Sequence, residues 1–130
     1  MITVIMLIWQ LPQFLLGLLL IKITGAKKTE TCGITWYRFD KNKNWFNKFL
    51  SGASLVFIIL PYEILETIQH ENGHCKQSEI LGLLYLVLIG LPSAIGNLLA
   101  RVFVAVRKNY YKLPWEAWAD KLGGVKRQSP

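Results

Sequence analysis

Two stretches of this chain, residues 1–21 and 80–100, each run for about twenty positions without one charged side chain. At 1.5 Å of rise per residue, a helix of that length matches a hydrocarbon core of about 30 Å. The composition agrees, with 52% hydrophobic and only 18% charged residues, where an ordinary soluble domain carries about a quarter charged. Part of the apolar surface is therefore expected to face lipid or a partner. A length of 130 residues fits one small domain.

The first stretch, MITVIMLIWQLPQFLLGLLLIKIT at 1–24, has no Lys or Arg ahead of its apolar run and no small-residue cleavage site. It predicts an uncleaved transmembrane anchor rather than a signal peptide. Gln10, Pro12 and Gln13 interrupt it, and lipid offers no hydrogen bonds to two glutamines, so the rest of the chain is their expected partner. Lys22, Lys27 and Lys28 follow, which by the positive-inside tendency sets the remaining domain at the cytoplasmic face of a cell membrane.

In the second stretch, Gly90-Leu91-Pro92-Ser93 breaks the run, with Ser93 as an N-cap for its second half. The net charge of +7 divides into +5 over 22–48, −3 over 49–100 and +5 over 101–130. Basic blocks on both sides of one span would conflict with the charge tendency. A broken apolar helical hairpin, buried or dipping into one leaflet, removes the conflict. Basic groups that flank apolar stretches suit anionic lipid headgroups and exclude a nucleic-acid reader.

Between these stretches, 25–33 reads as a polar linker. ITWYRF at 34–39 reads as a strand and Asp40–Asn44 as a turn. The aromatic cluster Trp36, Tyr37, Phe39, Trp45, Phe46 and Phe49 fits either a membrane interface or half of a small core. LVFIIL at 55–60 is too short to span and predicts a buried strand, with Pro61 opening the next helix. A last helix is expected from Pro114, stopped by Gly123-Gly124, and 125–130 is a basic tail. Cys32 and Cys75 are read as free thiols.

The chemistry concentrates in HENGH. His70 and His74 are the only histidines of the chain, and four residues apart they project from one helix face, able to grip one cation. Glu71 is then placed to act as general base on a metal-activated water, and Gly73 leaves room for close approach of backbone or substrate. A catalytic zinc centre needs a third protein ligand and an open position. The last two acids, Glu116 and Asp120, stand one turn apart in WEAWAD; Glu116 can bind the metal while Asp120 takes an imidazole N–H. An oxyanion donor would have to be Tyr110, Tyr111 or Tyr85, because no third histidine exists. Cys75 lies on another helix face, and Glu63 and Glu66 read as acids of the helix's first turn.

HENGH with the downstream ExxxD resembles the gluzincin branch of zinc metallopeptidases. The wider HENGHCKQS and EAWADKLGG runs are similar to small bacterial proteins and RHS-toxin C-terminal domains that share HExGHxxQS and ExWADxLGG. The resemblance implies His70, His74 and Glu116 as Zn2+ ligands, Glu71 as catalytic base and Asp120 as support for an imidazole. It implies a mostly helical α+β fold, with a zincin-like metal-binding domain over 34–124 that carries one or two short strands. The expected function is a membrane-anchored zinc metallopeptidase acting on a peptide or protein substrate. The alternative is a non-catalytic, zinc-stabilised interaction or immunity protein on the same membrane. Only 42 positions separate His74 from Glu116, so no large substrate-binding lobe accompanies the motif.

Overall fold

A computed structural model describes residues 4–43, 45, 47 and 52–126. Helix α1 (Val4–Trp9) runs into α2 (Leu11–Thr24), and a four-stranded sheet follows: β1 (Lys27–Thr31), β2 (Ile34–Arg38), β3 (Ala53–Leu55) and β4 (Phe57–Leu60). Helix α3 (Leu65–Leu81) carries both histidines. A helical path over 82–90 leads into α4 (Leu91–Val102), then α5 (Val104–Asn109) and α6 (Pro114–Gly123).

The expected transmembrane anchor is corrected here, and with it the cell-membrane location drawn from it. Helices α1 and α2 are 6 and 14 residues long, and no helix among the described residues is long and apolar enough to cross a membrane. Gln10 leaves helical geometry at φ −112°, ψ 24°, and Pro12 in the first turn of α2 has no N–H to carry the ladder across the break. Counting uncharged residues missed this backbone interruption. The glutamines do find partners in the rest of the chain. Ser78 Oγ donates to Gln10 Oε1 at 2.5 Å, and Gln13 Nε2 donates to Ser78 Oγ at 2.9 Å and to the Gly82 carbonyl at 2.7 Å. Trp9 Nε1 reaches the Glu79 carbonyl at 3.0 Å. The first two helices are thus fastened to the end of α3. The apolar excess of the composition sits on helix surfaces: Leu15 and Leu19 of α2, and Ile95 and Leu98 of α4, are exposed.

The sheet order is β1-β2-β4-β3, antiparallel at β1/β2 and β3/β4 and parallel at β2/β4. Strand β2 matches the expectation for 34–39. The linker reading of 25–33 gives way to β1 and a hairpin turn at Cys32-Gly33, both with positive φ, as such tight turns require. LVFIIL is two strands rather than one, folded back at Val56 with φ 69°. Helix α3 covers one sheet face, and Trp36, Ile58, Leu60 and Ile68 form a core with Ile34 and Cys75 against it. Trp36 and Phe39 are buried, which assigns that part of the aromatic cluster to core, while Trp45 is exposed; Phe46, Phe49 and most of the basic tail lie outside the described residues. Helix α3 starts at Leu65, beyond Pro61, with Glu66 in its first turn, whereas Glu63 precedes it and accepts a hydrogen bond from Thr31 Oγ1 at 2.6 Å.

The broken hairpin expected over 80–100 is also corrected. Gly82 ends α3, and from there a 3₁₀ turn (Gly82–Leu84), a π-helical turn (Leu86–Gly90) and α4 follow one another. Gly90 and Leu91 both keep right-handed helical angles, so the chain does not reverse there. The wider π turn precedes Pro92, whose missing N–H falls in the first turn of α4.

Candidate metal centre

Helix α6 is bounded as its sequence suggests, by Pro114 in its first turn and by Gly124 in the left-handed conformation at φ 72°. It lies directly on α3. A Cβ built on Gly73 would stand 1.8 Å from the Ala119 carbonyl oxygen, and one on Gly123 would stand 1.9 Å from that of Gln69. Only glycine at these two positions admits so close a backbone approach. The room expected beside Gly73 is therefore filled by α6 itself.

That contact brings the distant motif halves together. Glu116 Oε2 lies 2.9 Å from His70 Nε2 and 3.0 Å from His74 Nε2, and the two Nε2 atoms are 3.1 Å apart. All three residues are buried. Bond lengths near 2.0–2.1 Å around a tetrahedral zinc place ligand atoms roughly 3.3 Å from one another, so two imidazole nitrogens and one carboxylate oxygen at these separations fit a small divalent cation. Among the described residues this is the group of His, Cys, Asp and Glu side chains with such spacing.

Each of the three residues has a further partner. His70 Nδ1 is 2.6 Å from Asp120 Oδ1, the partner expected from ExxxD. His74 Nδ1 is 2.6 Å from Gln77 Oε1, and Gln77 Nε2 donates to the Trp115 carbonyl at 2.8 Å. Ser93 Oγ donates to Glu116 Oε1 at 2.5 Å. Sequence reasoning missed the last two. Gln77 lies one turn past His74 on α3, a spacing that could have flagged it. Ser93, expected as an N-cap, instead hydrogen-bonds Glu116, reached through tertiary packing that no local pattern announces.

The electrostatics follow from burial and these partners. Burial works to raise Glu116, but hydrogen bonds from both imidazoles and Ser93 prevail, and its carboxyl is held well below the usual range. Burial alone would depress His74, yet its bond to Glu116 and the charges of Glu71 and Glu116 lift it to about 9. Glu71 is raised, chiefly by desolvation, against the lowering influence of the two histidines.

Glu71 and His74 border a cavity of about 310 Å³ whose wall also includes Ser93, Asn97, Tyr110 and Leu86. Tyr110 Oη lies 3.4 Å from Ser93 Oγ, so of the three tyrosines it is the one whose hydroxyl stands beside both Ser93 and the cavity. Tyr111 instead packs its ring edge-on against His70, with centroids 5.1 Å apart. Tyr85 lines the cavity but donates its hydroxyl to the Ser54 carbonyl at 3.0 Å. Cys75 turns away from the centre toward Ser54 and Val56.

Compared with known protein families, curated proteins and solved structures, the chain matches none.

Proposed function

We propose that this chain is a zinc-dependent amide hydrolase acting on a peptide or protein. The observation that carries this reading is the convergence of His70 Nε2, His74 Nε2 and Glu116 Oε2 beside a cavity bordered by Glu71. A resident zinc held by these three atoms would supply Lewis acidity and lower the pKa of a water at its open position.

The chain's own groups account for the remaining steps. Glu71, half-buried at the cavity, takes a proton from the attacking water and returns it to the leaving amine. Tyr110, whose hydroxyl is kept protonated by burial and by the charge of Glu116, donates a hydrogen bond to the oxygen on which negative charge develops. Asp120 and Gln77 hold the two imidazoles, and Ser93 holds the carboxylate of Glu116.

Two variants test this reading. His74→Ala should abolish stoichiometric zinc, and its full retention would refute the site. Glu71→Gln should leave zinc content and folding intact while eliminating cleavage in a peptide-library digest. A wild-type protein that holds zinc and cuts nothing in that screen would instead support a purely structural metal, as in an interaction or immunity protein.

A further inference from the structure

Gln77 is fully buried, and its side-chain amide spends both ends on the site. Nε2 donates to the Trp115 carbonyl at 2.8 Å, which fixes the orientation of the amide, since an oxygen in that place would face another oxygen. Oε1 is thereby turned to His74 Nδ1 at 2.6 Å and can only accept. A neutral His74 must then carry its proton on Nδ1, leaving the Nε2 lone pair directed at Glu116 Oε2 and His70 Nε2.

The carbonyl that orients the amide belongs to the residue before Glu116, so one side chain ties the second imidazole to the element that carries the carboxylate. The two histidines are supported differently. His70 leans on a charged carboxylate of α6, Asp120, and His74 on a neutral amide of its own helix.

We propose that Gln77 is a positioning residue, which locks the tautomer and ring orientation of His74 and couples them to the placement of Glu116 for cation binding. This inference rests on the zinc reading of the centre. The locking acts through acceptance of the Nδ1 proton and the coupling through donation to Trp115, so a residue that still accepts but cannot donate should keep part of the effect. A residue of similar bulk that cannot accept should lose it.

The test is zinc and Co2+ affinity, measured by competition with a chromogenic chelator, on purified wild type, Gln77→Leu and Gln77→Glu, with thermal unfolding in parallel. Removing such a partner of a metal-binding histidine typically costs about 10- to 100-fold in affinity. Gln77→Leu should weaken zinc binding by at least about tenfold and alter the Co2+ absorption bands. Gln77→Glu keeps an acceptor for Nδ1–H but sets an oxygen against the Trp115 carbonyl, so it should lose less affinity than Gln77→Leu while keeping the wild-type Co2+ bands. Equal affinity of Gln77→Leu and wild type, or equal losses in both variants, would overturn the proposal. If Gln77→Leu does not fold, proton NMR of the zinc-loaded wild type decides: a slowly exchanging His74 Nδ1–H supports the lock, and its absence refutes it. A wild type that binds no zinc would overturn the metal reading and this inference together. Tight wild-type binding with an indifferent Gln77→Leu would overturn this inference alone.

Discussion

Gly73 and Ala119 are in backbone contact, so close that a single added methyl group at Gly73 would fall 1.8 Å from the Ala119 carbonyl oxygen. This contact sets the separation of α3 and α6, and His70, His74 and Glu116 are divided between those two helices. The glycine of HENGH is thus a spacing device for the centre, placed on the turn between its two histidines.

Gly73→Ala should accordingly damage the site without touching a ligand. The methyl group meets main chain, which cannot rotate away as a side chain would, so α6 must move outward. Overpacking of this kind costs about 1–3 kcal/mol, and an outward shift carries Glu116 away from the imidazoles. Urea denaturation should show the loss of stability, and zinc titration a weaker or absent site in the fraction that remains folded.

The two protonation states of His74 give the protein without metal a distinct pH dependence. Its folded pKa of about 9 exceeds the ordinary 6.5, so the stabilisation from the protonated imidazole beside Glu116 is fully present below 6.5 and is lost as pH rises through about 9. The linked change is on the order of 3 kcal/mol. Glu71, raised by burial, has the same sign. A bound cation competes for the same nitrogen, so zinc affinity should rise over this window with release of a proton. Denaturation of chelator-treated protein at pH 6 and pH 9 should show the fall, and zinc-loaded protein should not follow it.

The parts of this site legible in the sequence are those fixed by local spacing. His70 and His74 share a face because a helix repeats every 3.6 residues, and Glu116 and Asp120 do so for the same reason. Pro114 and Gly124 bound their helix through backbone rules that need no tertiary context. What was not legible depended on contacts far along the chain or on unusual backbone. Lys27–Thr31 is polar along its length and pairs only at the sheet edge, so no apolar alternation marked it as a strand. Val56 folds LVFIIL back with a positive φ, which a β-branched residue seldom adopts. Ser93 reaches Glu116 only because α4 and α6 meet. The glutamines in the apolar N-terminal run did signal a polar partner, but nothing in their spacing named Ser78.

The two cysteines should differ sharply in reactivity. Cys75 Sγ is 3.2 Å from Ser54 Oγ and 3.6 Å from the Val56 carbonyl, and burial, reinforced by the charges of Glu71 and Glu79, pushes its thiol up to about 12 against the lowering bond with Ser54. Its thiolate at pH 8 is then about one part in ten thousand. Cys32 is exposed in the β1–β2 turn. A thiol-specific disulfide reagent should modify one cysteine of the native protein rapidly, and Cys32→Ser should remove that reaction. Rapid labelling of the Cys32→Ser variant would show that Cys75 is accessible.

Gln13 is the strongest test of how the N-terminal helices belong to the domain. Its side chain is fully buried, and its Nε2 serves both Ser78 Oγ and the Gly82 carbonyl, while its Oε1 has no partner among the described residues. Replacement by leucine removes that orphaned acceptor, a gain, but strips a donor from a buried carbonyl and from Ser78. An unsatisfied buried group costs about 1–3 kcal/mol, so with two acceptors abandoned against one relieved the balance should be destabilising. Ser78 adjoins Gln77, and loosening this turn of α3 should also reach His74. Gln13→Leu is therefore expected to lower the unfolding midpoint and, by a smaller margin, to weaken zinc binding. An unchanged midpoint would mean that Gln13 does not fasten α2 to the helix that carries the centre.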